Sequence, residues 1–101
     1  MSEHSQALVE VRNMVIGMHG HAWRLHQEGK VRGDPGVPDM FFVLPDAGRW
    51  FCFWYEAKVG RDKLRPEQLA FKTLSDQAGC PVIVGRPCDV VDYFRDNGWK
   101  I

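Results

Sequence analysis

The chain has no excess charge of either sign, because thirteen Lys and Arg balance thirteen Asp and Glu. That balance excludes a protein that coats nucleic acid through bulk charge, so any polyanion partner must be met by local patches. Long hydrophobic runs are missing as well. The longest, Trp50 to Tyr55 with its neighbours, falls far short of the roughly 20 residues a membrane span needs, and no basic start followed by an apolar segment marks a signal peptide. The expectation is a soluble, cytoplasmic chain without a membrane partner. Cysteine is sparse and odd in number: Cys52, Cys80 and Cys88 show neither a Cys-x-x-Cys pair nor a zinc-ribbon spacing. This excludes a disulfide framework and predicts reduced core thiols. Gly-, Ser- or Pro-rich linkers, internal repeats and low-complexity tracts are also lacking. With 45% hydrophobic and 26% charged side chains, the 101 residues therefore predict a single domain spanning 1–101.

What the chain does have is pattern. Leu8, Val11, Val15 and Met18 recur at three- and four-residue spacing, which predicts an amphipathic helix from Ser2 to about Met18, stopped at Gly20. Ala22 to His26 alternates in period two, as a short strand does. Gln27 to Pro38 holds Gly29, Gly33, Pro35, Gly36 and Pro38 among charged residues and reads as a long basic loop. Met40 to Leu44 is a buried strand that enters a turn at Pro45-Asp46-Ala47-Gly48, and Trp50 to Lys58 returns beside it. Pro66 opens a helix that stops at Gly79. Pro81 to Gly85 is a short buried strand, and Asp89 to Asp96 a last helix. The order α-β-β-β-α-β-α predicts an α/β fold, a mixed four-stranded sheet flanked by helices. Both faces of the Trp50–Lys58 strand are apolar, which places it centrally with helices over both faces.

Charge interrupts that strand near its end. Period two puts Glu56 and Lys58 on one face, about 7 Å apart along the strand. Folding the hairpin about its turn brings Asp39 opposite Glu56, since the two are nearly equidistant from the turn. Two carboxylates converging at one end of a sheet repel unless a cation sits between them, and an oxygen-only donor set suits Mg²⁺ or Mn²⁺ rather than zinc. The peptide carbonyl of Ala57 is a further oxygen within reach. Lys58 beside such a site can neutralise a phosphate oxygen or orient an attacking water. Hydrolysis of a phosphodiester needs these parts. Asp and Glu-x-Lys also occur often by chance near solvated strand ends, and it is the shared hairpin after a Gly- and Pro-rich loop that favours chemistry.

These motifs, taken in order, resemble the PD-(D/E)xK nuclease superfamily and, within it, the stand-alone phage and bacterial VRR-NUC type. The match runs through Gly36-Val37-Pro38-Asp39, Glu56-Ala57-Lys58, Lys63-Leu64-Arg65-Pro66-Glu67-Gln68, and on to Gly79 and the Val82–Val84 strand. The resemblance implies a restriction-endonuclease-like core and a metal-dependent, structure-selective DNA endonuclease, with no nucleotide cofactor. By it, Asp39, Glu56 and the Ala57 carbonyl would hold Mg²⁺ or Mn²⁺, Lys58 would be the catalytic lysine, and Gln68 would support the site. A glutamate from the first helix is expected too. Glu3 and Glu10 fall with Gln6 on one helical face, and spacing leaves the choice between them open. Members of this size look like homodimers that resolve four-way (Holliday) junctions, and others serve as nuclease modules of larger DNA repair proteins. The source implied is a bacterial cell or phage-infected host.

Arg24, Lys30, Arg32, Arg61, Lys63 and Arg65 fall on the segments that would rim this site, as phosphate contacts or as ordinary solvated surface. His19 and His21, with His26 and His4, could suggest a transition-metal site, but no cysteine or second histidine pair has ligand spacing and the carboxylates already account for a metal. Four Trp, six Phe and two Tyr serve a core, a dimer interface or base stacking. The competing reading is a non-catalytic nucleic-acid-binding or assembly module on the same fold.

Overall fold

A computed structural model describes residues 1–25 and 36–101. His26, Lys30 and Arg32, with most of the expected basic loop, lie outside the described residues.

Helix α1 spans Glu3–Gly17 and starts where Ser2 Oγ accepts the Ser5 N–H at 3.1 Å. This hydroxyl satisfies one of the donors that a helix N-terminus leaves without a partner. Ala7, Leu8, Val11 and Val15 form its buried stripe. The chain leaves the helix through His19, at φ 66°, and Gly20. A Cβ at Gly20 would stand 2.8 Å from the Val43 carbonyl oxygen and closer still to Val15 and Leu44, so only glycine lets the helix end meet the sheet here.

Strands β1 (His21–Arg24), β2 (Met40–Asp46) and β3 (Arg49–Ala57) form an antiparallel meander. Ala47 and Gly48, at φ 50° and 83°, make the two-residue turn between β2 and β3, whose two left-handed residues match the twist of the flanking strands. Helix α2 (Pro66–Gln77) crosses to β4 (Val82–Gly85), which pairs parallel with β3, and α3 (Pro87–Asp96) follows. The sheet order is β1-β2-β3-β4, so β3 is interior. The expected element order and mixed sheet are those observed.

One face of the sheet holds the core. Met40, Phe42 and Leu44 of β2, Phe53, Tyr55 and Ala57 of β3, and Ile83 of β4 are buried with the α1 stripe and with Val90 and Phe94 of α3. Phe42 stacks on Phe53 at 4.9 Å, and Phe94 meets Phe53 edge-on at 5.3 Å, both favourable ring arrangements.

The opposite face departs from expectation. Helix α2 reaches it through Phe71, which meets Trp54 edge-on at 5.2 Å, while Trp23 and Trp50 remain 50% and 66% exposed. The apolar residues of α2 are spread around the helix, with Leu69 and Leu74 in solvent and Gln68 buried, so no wide apolar stripe pulls α2 across the sheet. The cysteines are also not all core residues. Cys52 and Cys80 are half-buried neighbours and Cys88 is exposed, because α3 begins at Pro87 and carries Cys88 in its first, solvent-facing turn.

Candidate active site

The β2–β3 hairpin sets the geometry. Pairing of Met40 with Tyr55 places Asp39, just before β2, opposite Glu56. The Leu25 N–H donates to the Asp39 carbonyl at 3.1 Å, which ties the end of β1 to the same point. Continuing the register pairs Ala57 with Pro38. Proline has no N–H to give the Ala57 carbonyl, and the Ala57 N–H donates to Asp39 Oδ2 at 3.0 Å instead. A Pro-Asp pair at this place therefore ends the ladder, fixes one carboxylate oxygen, and leaves the Ala57 carbonyl free of the next rung. Gly36, at the head of the same motif, packs so closely on the backbone of Glu67 that any Cβ would collide with its carbonyl oxygen. The start of α2 is thus held against the entry to β2.

Glu56 is 5% exposed. Burial, reinforced by the neighbouring Asp39 carboxylate, pushes its carboxyl up to about 7, and Lys58 opposes the rise. The Lys58 Nζ lies 3.5 Å from Glu56 Oε2, so Glu56 and Lys58 project together at the end of β3. Asp39, Glu56 and Lys58 thus meet at the mouth of one hairpin. Gln68 is buried in the first turn of α2, where its Oε1 accepts the Arg65 N–H at 2.9 Å. Its observed contact closes the helix start.

From α1 the structure brings an imidazole to the acids. His4 Nε2 lies 3.2 Å from Asp39 Oδ2, and ligand atoms of His4, Asp39 and Glu56 all fall within 4.8 Å of one another. This is the group of three such side chains found among the described residues. Glu3 and Glu10 are not in it. Together with Gln6 they line an open 140 Å³ pocket with Ala7, Val59, Arg86 and Pro87, and Gln6 Nε2 donates to Glu10 Oε1 at 3.5 Å. Sequence reasoning weighed His4 with the other histidines as a transition-metal ligand and set it aside; the structure adds that His4 stands with the two acids. The signal was its place one turn before Leu8, since a helix that docks through Leu8 and Val11 carries His4 at the sheetward end of the same face.

The basic residues divide between two places. Arg24 ends β1 and lines a 240 Å³ notch with Leu8, Val9, Arg12, Ala22 and Met40, so Arg12 joins Arg24 there. Arg61, Lys63 and Arg65 are exposed on the β3–α2 connection, where Arg65 Nε also lies 3.6 Å from Glu67 Oε1. No helix among the described residues is long and apolar enough to cross a membrane.

No family model and no curated protein matches the chain. Among solved structures it is similar to a chain described as "VRR_NUC domain", with a TM-score of 0.73 over 98% of this chain and 100% of that one, at 21% identity. The likeness is one of fold. It spans the whole α-β-β-β-α-β-α arrangement of a restriction-endonuclease-like core.

Proposed function

We propose that this chain, whose fold is that of a VRR_NUC domain, is a metal-dependent DNA endonuclease that resolves branched substrates, four-way junctions above all, as a homodimer. The observation that carries the reading is the meeting of Asp39, Glu56 and Lys58 at the hairpin mouth. A buried glutamate whose carboxyl is raised by an adjacent aspartate is poorly placed for stability and well placed to receive a cation. Asp39, Glu56 and the Ala57 carbonyl would hold Mg²⁺ or Mn²⁺ there. A divalent ion supplies Lewis-acid polarisation of a phosphoryl oxygen. Lys58 orients the attacking water and neutralises charge that builds on the phosphate. Water adds to phosphorus, one P–O ester bond breaks, and the departing oxygen takes up a proton, leaving a phosphate monoester and a hydroxyl.

Arg24, with Arg12 in the same notch, and the exposed Arg61, Lys63 and Arg65 of the β3–α2 connection would offer phosphate contacts on two separate segments. The exposed Trp23 and Trp50 give the sheet an apolar face suited to a second copy, and a two-fold dimer presents two sites to two symmetric strands.

The test is cleavage of labelled four-way junction, flap, duplex and single-stranded DNA with Mg²⁺ or Mn²⁺. Paired, symmetric cuts in the junction are expected, with Lys58→Ala slowed by about 10²–10⁴-fold. Trp50→Glu is expected to sediment as a monomer and to nick only one strand at a time. Tight binding without cutting, equal in wild type and Lys58→Ala, would move the protein to a binding module on a nuclease fold.

A further inference from the structure

An oxygen-only metal site does not describe what converges on Asp39. Ser2 caps α1 and the Ala7, Leu8, Val11 and Val15 stripe docks it, so the rotation of the helix is fixed by packing and His4 is held at its sheetward end. The 3.2 Å between His4 Nε2 and Asp39 Oδ2 suits a shared ion, because donors at about 2.1 Å from one ion stand about 3.0 Å apart when adjacent and about 4.2 Å when opposite. Glu56 lies within the same 4.8 Å group. A neutral imidazole with its proton on Nδ1 turns a lone pair toward that point from Nε2. The alternative is a plain His–Asp contact. With His4 40% exposed, such a pair adds little to stability.

We infer that His4 Nε2 is the third side-chain ligand of this centre, and that the centre therefore prefers first-row transition ions to Mg²⁺. The inference rests on the metal-dependent reading of Asp39 and Glu56. Mg²⁺ is a hard ion that favours oxygen and keeps its waters, whereas imidazole favours transition ions. Two carboxylates and an imidazole also carry one negative charge fewer than three carboxylates, which removes part of the attraction that would serve Mg²⁺ best. Mn²⁺ is the weakest binder of its row, so it is the most demanding probe of the preference.

The experiment titrates MnCl₂ and MgCl₂ calorimetrically into the full chain, its His4→Ala variant and its His4→Glu variant, and records pulsed electron paramagnetic resonance of the Mn²⁺ complexes. Wild type is expected to bind Mn²⁺ about tenfold more tightly than Mg²⁺, with His4→Ala losing about tenfold for Mn²⁺ and less than about twofold for Mg²⁺. Nitrogen coupling to Mn²⁺ should be present in wild type and absent in His4→Ala. His4→Glu restores an all-oxygen set and should narrow or reverse the preference. No nitrogen coupling in wild type, or unchanged Mn²⁺ affinity in His4→Ala, overturns the inference and leaves the nuclease reading standing. Nitrogen-coupled Mn²⁺ with no cutting of any DNA supports His4 as ligand and ends the nuclease reading. If wild type takes up neither ion, both fall.

Discussion

Asp39 Oδ2 accepts the Ala57 N–H at 3.0 Å, on the rung where strand pairing would otherwise meet Pro38. One carboxylate thus both closes the hairpin mouth and faces Glu56, and the two roles separate by substitution. Asp39→Asn keeps an acceptor for Ala57 and loses the charge, whereas Asp39→Ala loses both. Urea denaturation is expected to find Asp39→Asn the more stable of the two by about 1 kcal/mol. Both should lose Mn²⁺ binding and DNA cutting. Undiminished Mn²⁺ affinity in Asp39→Asn would remove Asp39 from the metal site.

The carboxyl of Glu56 carries the clearest pH dependence. Its pKa rises from the ordinary 4.5 to about 7 through burial and the adjacent Asp39. Between those values the folded protein holds a proton that the unfolded chain has released, so stability falls as pH rises through that window and levels off above it. Glu56→Gln has no proton to lose. In chelator, the variant should exceed wild type by about 1–3 kcal/mol at pH 8, with the gap closing near pH 5. Melts at both pH values check this, and a wild type whose stability did not fall between them would refute it.

The hairpin was legible in the sequence because its register follows from local features: an apolar run, a turn read at Pro45-Asp46-Ala47-Gly48, which the structure narrows to Ala47-Gly48 with Pro45 and Asp46 still in β2, and period-two alternation that puts Glu56 and Lys58 on one face. The first helix was less legible. Successive residues there differ by about 100° of rotation, so the docking phase alone decides whether Glu3 or His4 meets the sheet. Its acidic face, Glu3 with Gln6 and Glu10, lines an open pocket with Arg86 and Pro87. Coverage of the second sheet face could not be read from β3 either, since apolar residues on a strand do not say how far a neighbouring helix reaches.

Gln68 joins the two ends of that reading. Its Oε1 accepts the Arg65 N–H at 2.9 Å at the start of α2. Gln68→Ala should cost about 1–2 kcal/mol in urea denaturation, while Gln68→Glu keeps the acceptor and most of the stability. Equal loss in both variants would show that the amide nitrogen, rather than this bond, sets the contribution of Gln68.

Parallel pairing of β3 with β4 brings together two thiols that no turn could have announced. Trp54 pairs with Val82, and two residues back the Cys52 thiol donates to Cys80 Sγ at 3.3 Å. Burial pushes the Cys80 thiol up to about 12, which slows any reaction that needs its thiolate near neutrality. Diamide at pH 9 should nonetheless join the pair, the two thiols giving up two protons and two electrons to the diazene. Non-reducing peptide mapping is expected to find Cys52 linked to Cys80 and Cys88 free. The loop closed by that bond predicts a gain of about 3–4 kcal/mol, since it restricts mainly the unfolded chain. Cys52→Ser should abolish both the linked peptide and the gain. Linkage through Cys88 instead would mean that the β3–β4 edge opens readily, and the expected stabilisation would not appear.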